Sequence, residues 1–184
     1  MLPWRENISL YVHLPWCTSK CPYCDFNSFL RTPSVREDLY INCLLQDLEE
    51  DIKLAPGRVV SSIYLGGGTP SLFSSELIAR LLEGISEKVR VRESAEITLE
   101  INPESASFRK LEVYKRSGVN RISIGVQSFS NDVLTALSRP HNAIEARNAI
   151  LLVEEVGFEN INIDLMFGVP SGTYNSDMLD LNEA

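Results

Sequence analysis

Positive charge is in short supply in this 184-residue sequence: 17 Lys and Arg stand against 25 Asp and Glu, a formal net charge of -8. That balance argues against nonspecific attraction to nucleic acid or to an anionic membrane, both of which need clustered Lys and Arg, so no specific nucleic-acid partner is expected. Long apolar runs are missing too. The opening "MLPWRENISL" holds no apolar core of secretory-signal length, and no later run approaches the roughly 18 residues of a membrane span. No membrane span and a cytoplasmic location are therefore expected. Cysteine is scarce, with four in all, and three of them fall in "HLPWCTSKCPYCDF", residues 13–26. In a reducing compartment such clustering points to metal or redox chemistry rather than to disulfides. What remains is an ordinary globular composition, 44% hydrophobic and 23% charged, with length for one domain.

Periodicity supplies the fold class. "SLYVHLP" reads as a strand, and a helix is expected from Ser34, with Ser34 and Glu37 as a capping box and Val35, Leu39, Cys43, Leu44, Leu48 and Ile52 on one apolar stripe. Cys43 is accordingly expected to be buried as a small hydrophobe. Strands follow near 61–65, 96–101, 121–126 and 160–166, with helices near 75–90, 106–116 and 143–156; Asn142 and Glu145 make a further capping box. Five βα steps imply an α/β fold, a parallel sheet with outer helices. "GVNRISIG" and "GFENINID" place a helix-ending glycine before a strand in matching register, as repeated βα units would.

The strand faces are more telling than the strands. One parity carries Glu96, Thr98 and Glu100, then Arg121, Ser123, Gly125 and Gln127, then Asn160, Asn162, Asp164 and Met166. The other carries isoleucine, leucine and valine throughout. Strands of a sheet covered on both faces read as nearly continuous apolar sequence, and small closed barrels fill their interiors with branched apolar residues. Here the polar parity faces either solvent or a polar chamber, because an unpaired charge in an apolar one would cost several kcal/mol.

Three stretches can carry chemistry. Cys17, Cys21 and Cys24 form a CxxxCxxC between the first strand and the first helix. Three thiolates suit an iron–sulfur cubane with one iron left open, while zinc completed by His13 is the lesser alternative that the spacing alone allows. Strand parity also pairs His13 with Tyr11, which would make it a supporting residue. "YLGGGTPSLF" brings Gly66, Gly67 and Gly68 directly after a strand, either to admit a ligand close to the backbone or simply to turn tightly; it lacks the ending of a Walker A loop. Glu100, Gln127 and Asp164 sit on the polar parity near the C-terminal strand ends, where parallel-barrel enzymes assemble their sites. Arg139 is a candidate bidentate clamp for a carboxylate. His141 reads as a loop residue outside the site.

"YVHLPWCTSKCPYCDFNSF", "GGGTPSLF", "LEINPES", "GVNRISIGVQSF" and "NINIDLMFGVPSGT", in that order, resemble the radical S-adenosylmethionine (radical SAM) superfamily, and within it the oxygen-independent coproporphyrinogen III oxidase family, which includes the HemW-type haem chaperones. The resemblance runs from about Leu10 to Thr173. It implies a partial parallel (β/α)6-type barrel with about five βα units, and a 4Fe-4S cluster on Cys17, Cys21 and Cys24 whose open iron S-adenosylmethionine chelates. It also implies that Tyr11, Gly67 and Glu100 contact this cofactor, and that Gly68, Thr69, Gln127, Arg139 and Asp164 match positions for a second S-adenosylmethionine. The chemistry implied is reductive cleavage of the sulfonium to a 5'-deoxyadenosyl radical, fed by a flavodoxin-like electron donor; in the oxidases it ends in propionate decarboxylation to vinyl groups.

One departure separates the branches. The oxidases carry a fourth cysteine two residues after the third, where this chain has Phe26. "CDFNSF" is similar to the HemW-type branch, which binds haem and delivers it to haem-protein acceptors. The expected function is therefore haem chaperoning, with coproporphyrinogen oxidation as the alternative and a zinc-stabilised βα domain without catalysis as the third reading. The family has a sixth strand and a C-terminal domain, so residues 1–184 are expected to be a radical SAM core incomplete at its C-terminus, of doubtful activity alone.

Overall fold

The computed structural model describes residues 7–169 and 172–184. Expectations touching residues 1–6, or Pro170 and Ser171 of "GVPSGT", lie outside them. Five parallel strands, β1 (Asn7–Leu14), β2 (Val59–Gly67), β3 (Val91–Ile101), β4 (Arg121–Gln127) and β5 (Asn160–Leu165), line up in sequence order in one open sheet. The crossovers are α1 (Glu37–Leu54), α2 (Ser75–Lys88), α3 (Phe108–Arg116), and α4 (Asn131–Ala136) with α5 (Ala143–Glu155); α6 (Tyr174–Glu183) follows β5. Among the described residues no helix is long and apolar enough to cross a membrane.

The two parities separate as their chemistry requires. Leu99, Ile101, Ile122, Ile124 and Val126 are buried with Leu65, Ile78, Leu81, Leu111 and Val153 in one core between sheet and helices. Each such side chain removed from water contributes about 1.5–3 kcal/mol. The opposite parity turns inward to the concave face. Register brings Glu100 beside Ser123 and Ser123 beside Asn162 across neighbouring strands.

Helix boundaries follow local capping. Ser74 accepts from Leu77 N–H at the start of α2, Ser107 from Lys110 N–H at α3, and Asn142 with Glu145 closes a reciprocal capping box at α5. Gly118 and Gly157 end α3 and α5 at φ of 98° and 89°, a left-handed geometry that a side chain would strain, in matching positions before β4 and β5.

Two expectations for α1 are corrected. The Ser34–Glu37 box does not form: Ser34 bonds to Thr32, Arg36 precedes the helix without a side-chain cap, and Glu37 instead pairs with Arg31 and accepts from Ser74 N–H. The carboxylate gains more from a cation than from its own helix end. The buried stripe runs through Ile41, Leu48 and the half-buried Leu44, Leu45 and Ile52, so Leu39 and Cys43 face outward. At 100° per residue Cys43 lies about 200° around the helix from Ile41, on the solvent side.

Candidate functional site

The cysteine segment begins where β1 ends and is pinned at both sides. Trp16–Cys17 pair with Phe29–Leu30 in a short parallel ladder, extended by Phe29 N–H to Pro15 O at 2.8 Å and Arg31 N–H to Cys17 O at 2.9 Å. Beneath it Trp16, Tyr40 and Phe73 pack together, with ring centroids 4.7 Å and 5.3 Å from Trp16, and Tyr40 donates to His13 O at 2.9 Å. Cys24 N–H bonds to Cys21 O, a turn that brings the second and third thiols round to one side.

That loop forms one wall of a cavity of about 440 Å³ at the C-terminal strand ends. Cys17, Cys21 and Cys24 line it; opposite stand Tyr64, Glu100, Ser123, Gln127 and Asp164, with Gly68, Thr69, Asn102, Glu104 and Arg139 between the two. The polar parity thus faces a chamber, not bare solvent. Of the residues singled out from sequence, Gly68, Thr69, Glu100, Gln127, Arg139 and Asp164 are brought together with the three cysteines. Tyr11 and Gly67 do not line the chamber. Tyr11, on the edge strand β1, shares a sheet face with its register partner Tyr64, whose ring it stacks against at 6.3 Å; it is largely exposed, and its hydroxyl reaches His13 Nδ1 at 2.9 Å. Gly67 contributes through its backbone, whose N–H lies 3.3 Å from Glu100 Oε2.

His13 is fully engaged. Nε2 is 2.8 Å from Asn27 O, an acceptor, so this nitrogen carries the proton and Nδ1 accepts from Tyr11. With both nitrogens used, His13 supports the loop and is not available as a fourth metal ligand, contrary to the zinc reading. Among the described residues no three His, Cys, Asp or Glu side chains converge on a point suited to a single ion. Thiolates that carry a cubane bind separate irons and need no such point.

The donor set fits a thiolate-held cluster. All four cysteines are free, and two of the three loop sulfurs have donors: Thr69 Oγ1 lies 3.8 Å from Cys17 Sγ, and Arg139 Nη1 lies 3.6 Å from Cys21 Sγ. Such donors stabilise the electron-rich sulfur of a metal-bound thiolate. Close approach at the glycine turn is equally specific. A Cβ on Gly68 would lie 2.7 Å from the Pro15 and Trp16 carbonyl oxygens, and Gly67 has φ of 124°.

Arg139 does not present a free fork, contrary to its expected role as a carboxylate clamp. Nη2 is spent on Asn102 Oδ1 at 2.9 Å and Gly125 O at 2.8 Å, while Nη1 faces Cys21 and Tyr23. Burial pushes the Tyr23 phenol up to about 12. Glu100 is shifted above the usual carboxylate range by burial, against the pull of bonds from Tyr64 and Gly67; Tyr64 is raised by its own burial and by that bond. Gln127 sits in the left-handed region at φ of 69°, an unusual backbone for a side-chain-bearing residue, and one found where a site demands it.

His141, expected from sequence to be a loop residue outside the site, is placed otherwise. It is buried beside the chamber, with Nε2 3.0 Å from Val126 O and Nδ1 facing Glu104 Oε2 at 3.5 Å with poor hydrogen-bond alignment. Glu104 is also drawn up by burial, but the facing imidazole, its own backbone bond and the Arg139 charge outweigh that and hold it below the usual range. No sequence signal joins these two; the pairing depends on the turn after β3 packing against the loop before α5.

The Radical SAM superfamily profile matches residues 11–181. The chain is 45% identical over 177 residues to the protein named heme chaperone HemW of Escherichia coli (strain K12), covering 96% of this chain and 47% of that one. To the protein of the same name in Haemophilus influenzae it is 44% identical, covering 100% and 49%. It is 36% identical to a mitochondrial radical S-adenosyl methionine domain-containing protein 1 of Bos taurus, covering 92% and 38%. The chain therefore spans about half the length of the curated bacterial relatives it matches. Among solved structures, coproporphyrinogen III oxidase (HemN) of Escherichia coli superposes with a TM-score of 0.87 at 31% identity, over 97% of this chain and 41% of that one. Methylornithine synthase PylB, at 13% identity and a TM-score of 0.63, shares the fold.

Proposed function

Because the chain belongs to the radical SAM superfamily, we propose that it is the cluster-bearing core of a haem chaperone, holding a 4Fe-4S cluster on Cys17, Cys21 and Cys24 and binding one or two S-adenosylmethionine molecules in the adjoining chamber. When bound, that pair supplies reductive cleavage of a sulfonium and hence radical chemistry; the chain's residues supply placement and exclusion. In this reading residues 1–184 are the radical SAM core, and haem capture and delivery to a haem-protein acceptor belong to a protein of the relatives' length.

Each chamber residue has a task its geometry allows. Glu100, held by Tyr64 and Gly67, accepts from an ammonium group, and the Gly67–Gly68 turn lets a ligand's polar atoms approach the backbone. Asp164 accepts from hydroxyls or an amine at the outer strand, and Gln127 both donates and accepts. Tyr11 acts from the sheet edge, beside Tyr64 and through His13 and the loop. Arg139 is assigned to the sulfur side, consistent with its occupied fork. The electron donor is taken to be a flavodoxin-like protein and the compartment the cytoplasm.

The observation that carries the chaperone reading over the oxidase is Phe26. Two residues after Cys24, it presents an aromatic ring, 64% exposed, at the chamber wall where the oxidases have a fourth cysteine. The fold match to HemN keeps porphyrinogen oxidation as the second reading. Anaerobic reconstitution followed by spectrophotometric haem titration tests both: stoichiometric haem binding without conversion of coproporphyrinogen supports the chaperone. Conversion to protoporphyrinogen with consumption of S-adenosylmethionine overturns it.

A further inference from the structure

The two sulfur donors, Thr69 and Arg139, are joined through one side chain. Asn102 Nδ2 lies 3.0 Å from Thr69 Oγ1, and Asn102 Oδ1 accepts from Arg139 Nη2 at 2.9 Å. The continuous path is Cys17, Thr69, Asn102, Arg139, Cys21. We infer that Asn102 is a positioning residue that aims both donors at the cluster sulfurs and so sets the reduction potential of the cluster; this rests on the reading that the three cysteines hold one.

The polarity of the path is fixed by chemistry. A guanidinium only donates, so the amide atom facing Arg139 is the oxygen. The NH₂ group must then face Thr69 and donate to its hydroxyl oxygen. With that lone pair used, the Thr69 proton is directed to Cys17 Sγ. Reversal of the amide would set N–H against N–H at Arg139.

Local structure locks Asn102 in place. It follows β3 directly, Pro103 opens a 3-10 turn behind it, and Ser105 bonds to its carbonyl through both N–H (3.0 Å) and Oγ (2.7 Å). Gly125 on β4 makes the space: a Cβ there would lie 2.9 Å from Asn102 Oδ1 and 3.4 Å from Arg139 Nη2.

Hydrogen bonds to cluster sulfurs stabilise the more negative reduced state and raise the potential. Thr69→Val, which removes the hydroxyl at nearly constant shape, should lower the midpoint of the reconstituted chain. The expected change is roughly threefold in the oxidised-to-reduced ratio at fixed potential, about 28 mV for a one-electron couple. Asn102→Asp accepts on both sides and takes the Thr69 proton away from Cys17. Thr69→Val should therefore shift the potential in the wild-type background and leave it unmoved in the N102D background.

Iron and sulfide content measured alongside separates the failures. A wild-type chain that takes up no cluster removes the functional reading and this inference together. Full clusters with the same T69V shift in both backgrounds, or no T69V shift at all, overturn the inference alone. Should N102D fail to load, the neutral Asn102→Leu carries the same cycle, with the T69V shift expected to shrink in its background and an undiminished shift counting against the inference.

Discussion

Tyr64 on β2 donates its phenolic hydrogen to Glu100 Oε1 on β3 at 2.7 Å, one strand away and facing into the chamber. Burial holds the Glu100 proton more tightly than usual, while this bond and the Gly67 N–H favour the ionised form. An ammonium ligand needs the carboxylate. Affinity for S-adenosylmethionine should therefore fall on acidification, about tenfold per pH unit below the raised Glu100 value. Tyr64→Phe removes a bond to the ionised form and should move that limb to higher pH; Glu100→Gln should flatten it. Equilibrium dialysis across pH reads both, and a wild-type profile in Y64F would count against Glu100 as the ammonium acceptor. The stability linkage has its own sign. With a raised folded value, the contribution of Glu100 is present below its unfolded range and is lost as pH rises through the raised one.

The parity of β3, β4 and β5 was legible because the strand period is two and each polar residue on one face needs a polar surrounding. Glu100 and Asp164 consequently meet where the alternation places them, whereas Gln127 reaches the same chamber past a register shift that sets it opposite Leu165. The helical period of α1 was legible as well, but its phase was not: Cys43 and Leu39 fit a stripe on paper, and only packing against β1 and α2 selects Ile41 and Leu48. α4 spans six residues, too few for a periodic signal. Asn102, Glu104 and His141 were missed as site residues because their roles depend on cross-strand space at Gly125 and on loop packing, neither of which has a spacing in sequence.

The Glu104–His141 pair makes an opposite pH prediction. Glu104 is held below the usual range, so its contribution to stability is present above the unfolded carboxylate value and is lost as pH falls through the lower folded one. Glu104→Gln should remove this part of the acid limb and cost roughly 1–3 kcal/mol at neutral pH, since the buried His141 ring loses its facing charge. Urea melts at several pH values would show it. Parallel stability–pH curves for wild type and variant would refute the assignment.

Asp180 on α6 is buried and accepts twice, from Ser128 Oγ–H at 2.6 Å and from Phe129 N–H at 2.7 Å. These are the two residues after Gln127, whose left-handed backbone they follow directly. Glu183 adds an ion pair to Arg147, which stacks over the Phe129 ring. Asp180→Ala strands a hydroxyl and an amide in the interior and should destabilise the chain by roughly 2–4 kcal/mol. Glu183→Ala, at a half-exposed pair, should cost under about 1 kcal/mol. Denaturant midpoints at constant m test the contrast; equal losses would mean that the carboxylate of Asp180 is not what anchors α6.

The cysteines divide by environment, and iron content reads the division. Cys21 lines the chamber with the Arg139 guanidinium 3.6 Å from its sulfur, whereas Cys43 stands exposed on the outer face of α1, away from the other three thiols. Cys21→Ala takes away one of three thiolates and leaves the buried guanidinium without its sulfur partner, so cluster assembly on anaerobic reconstitution should be lost. Cys43→Ala replaces an exposed thiol on a helix with the best helix former and should leave iron and sulfide at wild-type levels, with stability within about 0.5 kcal/mol. Equal iron in wild type and C21A would defeat the cluster assignment outright. Reduced iron in C43A would instead place the fourth cysteine at the centre, a role that its position on the far side of α1 does not allow without rebuilding the helix.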